Sequence, residues 1–139
     1  MAHWLVKSEP DVYSWDDCRA KGKAGDAWTG VRNHQAKIHL NAMQKGDTAF
    51  FYHSGDAKAV VGIVEIVRPA YPDPTDETGK FVCVDVKAGV AFKTPATLTA
   101  IKAAPKLAEM VLVKNSRLSV QPVTAAEWAA VCAMGGVKP

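Results

Sequence analysis

Thr48-Ala49-Phe50-Phe51-Tyr52-His53-Ser54 is a run of aromatic and β-branched residues closed by Gly55-Asp56, and it reads as a strand. A second such run, Val60 to Val67, follows across a short glycine-containing link, so the two are expected to pair as a hairpin. Gly62 inside it marks a place where a backbone or ligand comes close. Outward from this hairpin, His3 to Lys7 reads as a first strand that stops at Ser8-Glu9-Pro10. Phe81 to Lys87 alternates Val82, Val84 and Val86 against Cys83, Asp85 and Lys87, as a strand does, and is expected to continue, bent at Gly89, through Phe92. Ser116 to Val120 reads as a short strand before Pro122. The proline-rich, acidic stretch Pro69 to Gly79 reads as a surface loop.

Helix signals fill the gaps. Ser14 with Asp17, and Thr124 with Glu127, form capping boxes ahead of Trp15 to Lys21 and of the Trp128, Val131 and Met134 run that Gly135-Gly136 ends. Asn33 is placed to cap a helix through Met43, closed by Gly46. Thr97 or Thr99 starts a short helix through Ala103, and Pro105 opens another through about Met110. The expected architecture is α+β: one domain over residues 1–139, built as a small twisted mixed β-barrel of five or six strands with flanking short helices.

At 139 residues, 48% hydrophobic and 22% charged, the chain can bury a core without cross-links. Cys18, Cys83 and Cys132 are widely spaced and unaccompanied by histidine clusters, so neither a disulfide framework nor a zinc site is indicated, and a reduced, cytoplasmic setting is expected. No apolar run reaches the roughly 18 residues of a membrane span. The formal net charge of +3 suits a polyanionic partner, with the lysines dispersed along the chain. A monomer without cofactor is expected.

Chemistry concentrates in Trp28-Thr29-Gly30-Val31-Arg32-Asn33-His34-Gln35, where an indole plane, a guanidinium and amides share a segment that reads as loop before a helix. Such a set fits a planar, heteroatom-rich ligand, a nucleobase above all. Lys7-Ser8-Glu9, Tyr52-His53-Ser54 and Asn115 to Ser119, with Arg117 and Ser119, bring polar reach from strand ends or loops, and together the four segments are expected to wall one pocket. In that pocket Trp28 stacks a base, Ser8, Glu9, Asn33 and Ser54 address its edge, and Lys7, Arg32 and Arg117 meet phosphates, with Val31 at the adjoining helix start. Two other readings stand beside it. Pro72-Asp73 followed by Asp85-Val86-Lys87 fits the degenerate pattern of Mg²⁺-dependent nucleases, and a protein-interaction module is the third.

Six blocks carry a resemblance: Trp4 to Pro10, Trp28 to Asn33, Phe50 to Ser54, Val61 to Glu65, Ala70 to Thr75, and Ser116 to Val123. In this order they resemble EVE domain proteins, members of the PUA-like superfamily that includes YTH and ASCH domains. The resemblance implies a partly closed barrel and a pocket that takes a modified base of DNA or RNA, as the related YTH domains take methylated adenine, and it implies no catalysis. The acidic loop Asp73 to Lys80 is shorter than in many relatives, and His34 stands where many carry tyrosine.

Overall fold

Adjacent residues of a strand face opposite sides of its sheet, so a run as uniformly apolar and aromatic as residues 49–52 requires cover on both faces. The computed structural model, which describes residues 2–139, supplies it. Its strands are β1 (His3–Ser8), β2 (Asp26–Ala27), β3 (Thr48–His53), β4 (Ala59–Pro72), β5 (Val82–Thr97) and β6 (Val120–Val123), and its helices are α1 (Trp15–Ala20), α2 (His34–Ala42), α3 (Leu98–Ala103), α4 (Val111–Lys114) and α5 (Ala125–Gly135). The strands form one mixed sheet in the order β2-β5-β4-β3-β1-β6, with β1 parallel to β3 and the other pairings antiparallel.

Alternate strand residues feed two separate cores. Trp4, Val6, Ala49 and Phe51 pack with Trp15, Trp28, Ala36 and Leu40, on the side covered by α1 and α2. Leu5, Phe50 and Tyr52 pack with Ile101, Leu112 and Trp128, on the side covered by α3, α4 and α5. Register shifts at four places along β4 and β5 bend these two long strands and give the sheet its barrel-like twist. No helix among the described residues is long and apolar enough to cross a membrane.

Both capping boxes and the Asn33 and Thr97 caps form as expected. Several boundaries differ. β4 runs on through Pro69 to Pro72 where a loop was expected, because those prolines lie where the ladder with β5 is already irregular and a missing N–H costs little. The last strand is Val120–Val123 and includes Pro122, which β6 tolerates as the edge strand of the sheet. The helix expected from Pro105 through about Met110 is a 3₁₀ turn (Pro105–Leu107), and the separate α4 follows it. Helix α2 ends when Met43 turns extended, and Gly46, at φ 95°, serves the turn into β3 instead. Asp26–Ala27 forms a short strand inside the expected loop.

Gly62 is the close approach that its position in a strand suggested: a Cβ there would lie 2.5 Å from the Trp15 ring. Helix α1 therefore seats its indole directly on the β4 backbone. Gly62→Ala should cost about 1–3 kcal/mol in urea unfolding, and less in a Trp15→Leu background. An equal cost in both backgrounds would disprove this account of how α1 docks.

Candidate functional site

The Trp28 segment is laid along β5 before it leaves the sheet. β2 pairs with Val86 and Asp85, and the Trp28 N–H donates to the Val84 carbonyl at 2.7 Å. Gly25 makes this possible, since a Cβ there would sit 2.6 Å from the Val86 oxygen. The chain then turns through Gly30, at φ 86°, toward α2.

What holds the turn is Asp73, whose carboxylate is wholly buried. One oxygen accepts from the Gly30 N–H at 2.9 Å and from Arg32 Nη1 at 3.1 Å, and the other from the Thr75 N–H and hydroxyl, both at 2.7 Å. Arg32 Nη2 also donates to Thr75 Oγ1 at 2.9 Å, with its guanidinium 5.7 Å from the Phe81 ring centre. Burial alone would raise the Asp73 pKa, but the donations from Thr75, Gly30 and Arg32 outweigh it and hold the carboxyl below the ordinary range.

Between this braced loop and the end of β1 lies a cleft of about 480 Å³, lined by Lys7, Ser8, Val12, Tyr13, Asp26, Ala27, residues 28–32 and Ser119. Trp28 meets Tyr13 and Phe51 edge to face, with ring centres 5.7 and 5.4 Å away, and is left 7% exposed. The Tyr13 hydroxyl is buried without a hydrogen-bond partner. Burial, with Asp26 and Cys18 nearby, pushes this phenol well above the usual tyrosine range, so it stays a neutral donor. Val12 is a 77% exposed apolar side chain at the same cleft.

The sequence-predicted residues divide. Lys7, Ser8, Trp28, Val31, Arg32 and Ser119 line this cleft. Tyr52 and Ser54 instead line a second cleft of about 350 Å³, into which Lys7 also reaches. The expectation of one pocket fails because Tyr52 and His53 are neighbours on a strand and face opposite ways. Four predicted residues line neither cleft. Asn33 is spent on capping α2 through the Ala36 N–H at 2.9 Å. His53 Nε2 accepts from the Trp15 N–H at 3.0 Å, fixing the start of α1. Glu9 and Arg117 are exposed. Arg32, expected at a phosphate, is engaged with Asp73 and Thr75. The Ser8 hydroxyl donates to the Tyr13 carbonyl at 2.7 Å, leaving its lone pairs to the cleft. Tyr13, Asp26 and the bracing role of Asp73 were missed. An aspartate two residues before a threonine is an Asx-turn signal that pointed to ordered backbone at Asp73.

The nuclease trio is not assembled. All four hydrogen bonds to Asp73 come from within the chain, Asp85 is bonded by the Tyr71 hydroxyl, and Lys87 Nζ lies 3.9 Å from Glu65.

Comparison with known proteins supplies the context. The EVE domain family model matches residues 2–134. An NMR structure of Rpa0253 from Rhodopseudomonas palustris is 67% identical, with a TM-score of 0.92 over 98% of this chain and 94% of that one. A crystal structure of human THYN1 protein in complex with 5-methylcytosine-containing DNA is 34% identical, with a TM-score of 0.89 over the full length of both chains. At 8% identity, an ASCH protein from Zymomonas mobilis shares the fold alone, with a TM-score of 0.62 over 96% of this chain and 99% of that one, in keeping with a PUA-like architecture.

Two outcomes follow from the brace and the α1 anchor. Asp73→Asn, which turns amide hydrogens toward existing donors, should lower stability by about 2–3 kcal/mol in denaturant unfolding; a change within error would show that the loop holds without it. Burial lowers the His53 pKa below the ordinary 6.5, so the folded state binds its proton less readily than the unfolded one. The stability this confers is complete above about pH 6.5 and is lost as pH falls toward the folded value. Thermal melts between pH 7.5 and 5.5 should show a smaller decline for His53→Gln than for the wild type.

Proposed function

Since the chain belongs to the EVE domain family, we propose that it is a non-enzymatic DNA-binding reader that receives one modified base, of the 5-methylcytosine type, in the cleft beside Trp28. The observation that carries this reading is the Tyr13 hydroxyl, close to Asp26 yet without a hydrogen bond of normal length, in a cleft that also presents the Asp26 carboxylate and the Trp28 indole. Four buried side-chain polar atoms lack a hydrogen bond among the described residues, Tyr13 Oη, Trp15 Nε1, His39 Nε2 and Gln121 Oε1, and of these four residues Tyr13 alone lines this cleft, where a ligand acceptor can pair it. A carboxylate is the acceptor that suits the exocyclic amine of cytosine.

Each residue then has a task. The uncovered part of Trp28 contacts the base, Tyr13 donates to a ring nitrogen or carbonyl, and Asp26 accepts from the amine. Val12 offers apolar contact to a methyl group, worth about 0.8 kcal/mol. So small a gain means that discrimination rests chiefly on polar groups left unpaired by the wrong base. The relative crystallised with 5-methylcytosine-containing DNA supports the choice of DNA and of base. Among the described residues the large exposed apolar side chains are Val12, Ile38 and Val90, which gives the interaction-module reading little surface to use.

The test titrates short DNA strands carrying 5-methylcytosine, cytosine or thymine at one position, with an RNA counterpart, against wild type, Trp28→Ala and Asp26→Ala. Asp26→Ala should bind the cytosine strands roughly tenfold more weakly and lose the preference over thymine. Trp28→Ala removes core packing as well, so Asp26→Ala is the decisive variant. Equal binding of every strand by wild type and Asp26→Ala would sink the assignment.

A further inference from the structure

We propose that the second cleft carries the phosphodiester backbone of the strand whose base occupies the first, with Lys58 and Lys102 as the phosphate-binding residues; this rests on the base-reading function above. Three lysines line that cleft, Lys7, Lys58 and Lys102, and no carboxylate does. In the base cleft, by contrast, the Arg32 charge is already met by Asp73, and Asp26 adds a carboxylate to the lining. The attraction for phosphate is therefore displaced from where the base sits. Lys7 Nζ donates to the Ser116 carbonyl at 2.5 Å, which leaves Lys58 and Lys102 as the uncommitted cations. Neither has a carboxylate within ion-pair distance among the described residues.

The two are brought together by a strained turn. Lys58 has φ 44°, a left-handed conformation that residues with a side chain rarely adopt, and it is the non-glycine residue with positive φ among those described. Its carbonyl accepts from the Leu98 N–H at 2.8 Å, locking the β3–β4 turn against the start of α3. Lys102 lies four residues after Leu98, on the same face of that helix. Continuity comes from Lys7, which lines both clefts, and from β1 and β3, whose ends are joined by the Ser54 N–H to the Ser8 carbonyl at 2.9 Å. A strand leaving the base cleft past Lys7 enters the lysine cleft next.

The test compares wild type with the double variant Lys58→Gln, Lys102→Gln, neither residue touching the base cleft. Binding of the 5-methylcytosine strand is followed across a salt series, and binding of the free 5-methylcytosine nucleoside is measured alongside. The variant should bind the strand roughly tenfold more weakly at low salt, with the slope of log affinity on log salt shallower by about 1.4, two phosphates at about 0.7 each. Nucleoside binding should be unchanged. A slope like that of wild type overturns the proposal while leaving the base cleft intact, and an equal loss of nucleoside binding overturns it by tying the two lysines to the base itself. Wild type that binds nucleoside but no strand more tightly also overturns it alone, whereas failure to bind either removes both readings. A polyglutamate peptide that competes as well as DNA would make the cleft a general polyanion surface and reject the assignment.

Discussion

A carboxylate with no exposed surface must be given hydrogen bonds inside the protein or be neutralised, and Asp73 is given four. That requirement organises the site. Thr75 satisfies one oxygen locally, but the other is completed by Gly30 and Arg32, more than forty residues earlier in the chain. Through them, the end of β4 dictates the course of the loop that carries Trp28. The loop is consequently shaped before any ligand arrives, and its arginine is a structural cation first. Pre-organisation of this kind reduces the ordering cost that binding would otherwise pay.

The second constraint is the two-residue period of the strands. Because both faces of the sheet are buried, every residue at the ends of β1 and β3 is assigned to one side or the other, with no intermediate choice. Ser8 falls on the side of Trp28, Tyr52 and Ser54 on the side of α3, and two clefts result where a list of polar residues suggests one. Lys7 reaches both only because its stem is long enough to pass the strand end. The same period places His53 under α1, where its imidazole is an acceptor for backbone.

What was legible in the sequence is what depends on neighbours along the chain. Capping at Ser14, Asn33, Thr97 and Thr124, the β3–β4 hairpin and the close contact at Gly62 all arise from local chemistry or period. The prolines of β4 and β6 misled because a proline's tolerance depends on whether its strand partner needs a donor, which is a property of the sheet. Asp26 and Tyr13 were invisible for a related reason. Each sits in a segment that reads as ordinary turn or cap surroundings, and only the packing of α1 and β2 around Trp28 brings the pair to one cleft.

The burial of Trp28 shifts the balance of the site away from stacking. An indole 7% exposed and gripped edge-on by Tyr13 and Phe51 cannot offer its full face, so it acts as a wall that sets the width of the cleft. Affinity from stacking then falls short of the roughly 1–3 kcal/mol per base of an open platform. In the proposed reader, selectivity comes from what the wall refuses and from the polar groups behind it, while much of the hold on the strand comes from charge. On that proposal, separating the neutralised, shape-defining cation Arg32 from Lys58 and Lys102 of the second cleft lets the two properties be set independently: the brace can stay rigid while these lysines adjust how tightly, and how salt-sensitively, a strand is held.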